Sequence, residues 1–243
     1  MMFAVGPLVI PFLVGGVLLI AVIAWFAYKW LKEDPHRDMV IFMGPKEQGK
    51  TELKFALLKK GFNENRQGTG RRVFKEKLII DDDDIGRKKI VTLDCGGDGP
   101  FISGYVSEVG QYIAEKRPEY VLIVLVMKRS FLQQDVVSVS DKLGEYLDFI
   151  TKAFDNNDCK PMEKRYHDGF WAYAIATTHC DKLTSDEEQK LSQIEERVGK
   201  RYSGKLRRMV DRKRDGCFEL SEKKYRNQAI VWIVNILKAM HEE

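Results

Sequence analysis

Charge is missing from residues 1 to 28, and no later stretch of the chain repeats that absence. Cysteine is scarce and scattered: Cys95, Cys159, Cys180 and Cys217 form no C-x-x-C pair and no cysteine–histidine cluster. That spacing supports neither a disulfide framework nor a zinc site, so we read all of them as reduced thiols in a reducing compartment. His36, His167, His179 and His241 lack metal-ligand spacing and read as surface or packed imidazoles. There is no internal repeat, and with 44% hydrophobic and 31% charged residues the composition excludes fibrous and disordered classes. The net charge of +4 is too small to argue for a nucleic-acid partner, and no direct nucleic-acid contact is expected.

What the first residues do contain is apolar. Leu8 to Tyr28 reads LVIPFLVGGVLLIAVIAWFAY, a run that as a helix spans about 31 Å, the thickness of a hydrocarbon core. Trp25, Tyr28 and Trp30 close it, and Lys29, Lys32 and Arg37 follow. A cleaved signal peptide would carry its basic residues before the apolar run and a small-residue cleavage site after it. The opposite arrangement predicts a retained single-pass anchor over residues 1–31, with the rest of the chain on the cytosolic face. Residues 32–38 (KEDPHRD, from Lys32) read as a short charged linker, and residues 39–243 as one α/β domain.

Within that domain short apolar runs alternate with helical patterns. Strands are expected at Met39–Met43, Lys77–Ile80, Lys89–Leu93, Tyr120–Met127, Trp171–Thr177 and Cys217–Leu220. Helices are expected after Thr51, over Gly104–Lys116, over Ser138–Phe154, from Ser185, and through Ile230–Met240. Residues 62–75 read as a loop and 81–88 (DDDDIGRK) as a hairpin tip. The alternation implies a mostly parallel six-stranded sheet with helices on both faces.

The chemistry concentrates in three places. Residues 44–51, GPKEQGKT, satisfy G-x-x-x-x-G-K-[ST] between an expected strand and an expected helix, the context that makes this a phosphate-binding loop. Gly44 and Gly49 let backbone amides wrap a phosphate beside the positive end of the helix. Lys46, Glu47 and Gln48 complete the loop and count with it as nucleotide-binding. Lys50 should reach the β- and γ-phosphates, and Thr51 should ligate Mg²⁺. Asp94-Cys95-Gly96-Gly97 ends a strand, where Asp94 can hold the Mg²⁺ shell and the Gly97 amide can meet the γ-phosphate. Thr178-His179-Cys180-Asp181 follows the strand WAYAIAT directly.

That third element resembles the guanine-recognition motif of Ras-like P-loop GTPases, written N/T-K-x-D. The resemblance spans residues 39–241 in the expected order. It implies a P-loop NTPase fold, GTP or GDP with Mg²⁺ as ligands, and base recognition through Asp181, with Thr178, His179 and Lys182 in the same loop. His179 departs from the usual lysine. Thr69 resembles the switch threonine that ligates Mg²⁺, and Ser221 loosely resembles the last base-contacting loop. Asp98 stands where these proteins carry a glutamine or histidine that orients the attacking water, so Lys50 and Asp98 are the catalytic candidates and hydrolysis is expected to be slow. The anchor-plus-domain layout is similar to the β subunit of the signal recognition particle receptor, and would put the chain on the endoplasmic reticulum with a protein partner that reads the switch loops. A P-loop ATPase and a nucleotide-binding scaffold stay open as alternatives. Asp81–Asp84 reads as solvated. Residues 200–214 (KRYSGKLRRMVDRKR) read as a solvated helix face or as a contact for anionic lipid.

Overall fold

The computed structural model describes residues 22, 25, 38–57, 74–82, 86–95, 102–116, 118, 120–156, 171–180, 182–202, 206–209 and 216–242. By contact the chain divides into two units, Met1–Pro35 and His36–Glu243. The expected anchor lies outside the described residues, except Val22 and Trp25, both helical and exposed. Among the described residues no helix is long and apolar enough to cross a membrane.

In the second unit the strands are β1 (Asp38–Met43), β2 (Phe74–Asp82), β3 (Gly86–Asp94), β4 (Tyr120–Lys128), β5 (Trp171–Thr178), β6 (Arg207–Arg208) and β7 (Cys217–Phe218). The helices are α1 (Lys50–Leu57), α2 (Ile102–Lys116), α3 (Val136–Asn156), α4 (Ser185–Tyr202) and α5 (Lys223–His241). The sheet order is β2-β3-β1-β4-β5-β6, with β7 also paired to β5. Among the described residues, the β2–β3 pairing alone is antiparallel.

The central strands are apolar along their whole length because both faces are covered. Met39, Ile41, Val121, Ile123 and Leu125 join Val109 and Ile113 of α2, Leu143 and Leu147 of α3, and Ile194 and Val198 of α4. Val40, Phe42, Leu122 and Val124 face the other way, onto Leu53 and Leu57 of α1 and Trp232, Ile233 and Leu237 of α5. The period-2 alternation of a strand thus builds two cores from one apolar run. β1 and α5 are also tied at their far ends, where His241 Nε2 meets the buried Asp38 carboxylate at 2.9 and 3.0 Å. Asp38 is therefore the first residue of β1 and not part of a linker.

The expectation of six strands needs correction. Five long strands form the body of the sheet, and two-residue pairings at β6 and β7 extend it to seven. β6 was missed because Arg207 and Arg208 carry no hydrophobic pattern. The β2–β3 hairpin is also longer than expected: Asp81 pairs with Arg87 and Asp82 with Gly86, positions expected in the tip. A ladder satisfies backbone groups whatever the side chains are, so polarity there does not mark a loop.

Candidate functional site

Every described candidate residue lies at or just beyond the carboxyl end of a parallel strand. The phosphate loop follows β1, Asp94 ends β3, Lys128 ends β4, Thr178 ends β5, and Ser221 follows β7. The chain runs from β1 to β3 on one side and to β4 on the other, so β1 marks the switch point where open α/β sheets bind ligands.

Residues 44–49 turn tightly between β1 and α1. Gly44 has φ 140° and Gly49 φ 80°. A Cβ on Gly44 would stand 2.2 Å from the Val126 carbonyl oxygen, and one on Gly49 would stand 3.2 Å from Thr178 Oγ1. Glu47 (φ 61°) and His179 (φ 58°) are the described non-glycine residues in left-handed backbone, and both sit here. The loop is pinned from two strands. Gln48 Oε1 accepts from the Lys128 amide at 2.7 Å, its Nε2 donates to Lys46 O at 2.9 Å, and Gln48 O accepts the Thr178 hydroxyl at 2.8 Å. Gln48 and Thr178 thus spend their polar atoms on shaping the loop.

Lys50 opens α1 with its side chain buried, and its ammonium donates to Gly44 O at 2.9 Å and to Pro45 O. The charge is held over the loop it would serve. Thr51 Oγ1 donates to Asp94 Oδ2 at 2.8 Å across 43 residues of sequence. Parallel pairing of Phe42 with Asp94 delivers that carboxylate beside the start of α1. A hydroxyl and a carboxylate here suit a hard divalent cation, which takes oxygen ligands. Lys54 Nζ also approaches Asp94 Oδ2, at 4.0 Å, with both side chains buried. Sequence reading missed Lys54, although it lies one helical turn beyond Thr51 and on the same face. Cys95 is buried, and burial first, then the Asp94 charge, pushes its thiol well above the ordinary range, which leaves it inert.

After β5, His179 is exposed. Desolvation first, then the Lys128 charge, lowers its ring below the ordinary value, against a smaller opposing effect of Glu219. Lys182 is exposed. Ser221 is exposed and its hydroxyl donates to Glu219 Oε1 at 2.8 Å. The turn into α4 carries a capping box: Thr184 N donates to Glu187 Oε2 at 2.9 Å, and Glu187 N donates to Thr184 Oγ1 at 3.4 Å. Arg129 locks it with two bonds to Glu187, at 2.8 and 2.9 Å. Sequence reading placed a helix from Ser185 and named neither the capping pair nor its arginine partner.

One cysteine expectation is overturned. Cys180 and Cys217 are joined by a disulfide with Cα atoms 6.0 Å apart. They lie 37 residues apart in sequence, but β5 and β7 pair in parallel at Thr177 and Cys217. Sequence spacing cannot register a strand pairing of that kind. Thr69, Gly97, Asp98, Asp181 and Cys159 lie outside the described residues. The acidic run now straddles the end of β2. In the basic run, Lys200 pairs with Glu196, Arg201 with Asp148 and Arg208 with Glu195.

No protein-family model matches the chain, and no curated protein sequence does. The crystal structure of a bacterial selenocysteine-specific elongation factor, EF-Sec, is similar with a TM-score of 0.51 and 12% identity, over 83% of this chain and 28% of that one. The structure of Methanosarcina barkeri Roco2 RocCORdC bound to GDP is also found, with a TM-score of 0.45 and 18% identity, over 84% of this chain and 50% of that one. The chain shares the α/β fold of the matched part of that elongation factor, a mostly parallel sheet with helices on both faces. It spans at most half the length of either protein, and at these identities the likeness reaches no further than the fold.

Proposed function

We propose that this chain is a GTP-binding switch held at a membrane by its N-terminal apolar segment, with slow intrinsic hydrolysis. The observation that carries the reading is the Thr51–Asp94 hydrogen bond, 2.8 Å long. It joins the end of the phosphate loop to the one strand-end carboxylate the sequence assigned to Mg²⁺. In this reading the loop amides and Lys50 hold the phosphates. Thr51 and Asp94 hold Mg²⁺, which would neutralise phosphate charge. Asp181 reads guanine, with His179 as a neutral ring beside the base and Lys182 and Ser221 at its rim. Gly97 and Thr69 respond to the γ-phosphate, and Asp98 makes a poor water-orienting group. Residues 62–75 and 95–104 would change order with nucleotide state and be read by a protein partner.

The membrane and the partner rest on sequence alone. The basic flank favours the cytosolic face, and the layout similar to the signal recognition particle receptor β subunit favours the endoplasmic reticulum and protein targeting. The ion pairs made by Lys200, Arg201 and Arg208 favour a folded-in role for part of the basic run, leaving anionic-lipid contact to the rest. A nucleotide-binding scaffold with little hydrolysis is the second reading, and His179 in place of lysine favours it. The test is nucleotide content of the full chain purified in detergent, followed by competition among GTP, GDP and ATP with Mg²⁺. Guanine selectivity that turns to xanthine in Asp181→Asn supports the switch. Adenine selectivity would sink it and leave a P-loop ATPase.

A further inference from the structure

Two lysines of α1 are buried, and only Lys50 belongs to the phosphate-loop motif. Lys54 is 1% exposed, and its ammonium stands 4.0 Å from Asp94 Oδ2, the oxygen that also accepts the Thr51 hydroxyl at 2.8 Å. Its neighbours on the buried side of the helix, Leu53, Ala56 and Leu57, are apolar. An apolar side chain would fill that position without the desolvation penalty of a buried ammonium. The lysine is placed against the carboxylate that would otherwise attract a divalent cation most strongly.

We propose that Lys54 is a resident cation on the metal side of the phosphate site, so that this chain holds its nucleotide with little dependence on Mg²⁺. The inference rests on the nucleotide-binding reading above. Two effects run in the same direction. The ammonium neutralises Asp94 and repels a divalent cation, which weakens the hold on Mg²⁺. It also adds a second fixed positive charge on α1, one turn after Lys50, which would offset part of the phosphate charge that Mg²⁺ would neutralise.

The experiment follows release of the fluorescent analogue mant-GDP from the full chain in detergent, with Mg²⁺ and with excess EDTA. The variants are Lys54→Gln, which can still hydrogen-bond Asp94, and Lys54→Met, with thermal melts to show that they fold. Wild-type release should quicken by less than about threefold in EDTA, and release from the variants by about tenfold or more, the scale of one uncompensated charge contact. Equal EDTA factors in wild type and variants would overturn the proposal. If neither variant folds, Mg²⁺ titration of the wild type decides: half-maximal slowing of release at millimolar Mg²⁺ supports the proposal, and at micromolar Mg²⁺ overturns it. Failure of mant-GDP to bind under any condition would remove the nucleotide-binding reading itself, a result distinct from equal EDTA factors.

Discussion

The Thr178 hydroxyl donates to the Gln48 carbonyl at 2.8 Å, across 130 residues of sequence. The same hydroxyl lies 3.4 Å from Met127 O. One fully buried threonine thus ties residues 44–49 to the end of β5. Thr178→Val keeps the shape and removes the donor, leaving the Gln48 carbonyl short of a partner. The expected cost is about 1–2 kcal/mol of stability, with Thr178→Ser close to wild type. Urea unfolding of the three proteins checks this. Mant-GDP affinity should fall in the valine variant alone.

Gly44 meets a harder constraint. Its φ of 140° is costly for any residue with a Cβ, and that Cβ would lie 2.2 Å from the backbone oxygen of Val126. Backbone cannot swing aside as a flexible side-chain tip does. Gly44→Ala should therefore cost about 3 kcal/mol or more or prevent folding, read by thermal melts and soluble yield. Thr51→Ala, which removes only a hydroxyl, is the contrasting variant. A Gly44→Ala protein as stable as wild type would mean that the loop is not built as described.

The phosphate loop was legible because its signal is local: two glycines, a lysine and a threonine at fixed spacing between two recognisable elements. β1, β4 and β5 were legible because burial on both faces leaves an unbroken apolar run. What could not be read depends on strand register. Cys180 meets Cys217 because β7 pairs with β5 at Thr177. The same holds for the fork between Arg129 and Glu187, which joins the end of β4 to the start of α4. The helix start near Ser185 was legible, yet nothing local announced the arginine.

That fork gives a pH signature. The hydrogen bond from Arg129, then those from Thr184, hold the Glu187 carboxyl at about 2, below its ordinary 4.5. The unfolded chain therefore takes up the proton first as pH falls. The stabilisation is fully present above the unfolded value and is lost as pH drops through 4.5 towards about 2. Glu187→Gln should be less stable than wild type at pH 7 and should converge with it in acid. Urea midpoints at pH 7, at the ordinary carboxylate value and near the lower limit check this. A constant gap between the two proteins would mean that the fork contributes nothing titratable.

The Cys180–Cys217 disulfide joins the turn after β5 to β7 and closes a loop with a sequence separation of 37. Restricting the unfolded chain by a loop of that size is worth about 4 kcal/mol in the chain-entropy account, on the order of 10 °C in melting temperature for a domain of this size. Reductant should therefore lower the melting temperature of wild type and leave Cys217→Ser unmoved, since that variant has no bond to lose. Thiol titration of the denatured, unreduced protein should fall short of the full cysteine count by two and recover it after reduction. The same measurement bears on location. Cytosolic thiol pools keep most such pairs reduced. A bond retained in protein isolated from cells with thiols blocked would argue against a cytosolic domain, and hence against the membrane orientation proposed from the basic flank. A bond found only after air oxidation would keep that orientation, and would make nucleotide release in oxidised and reduced protein the comparison to make.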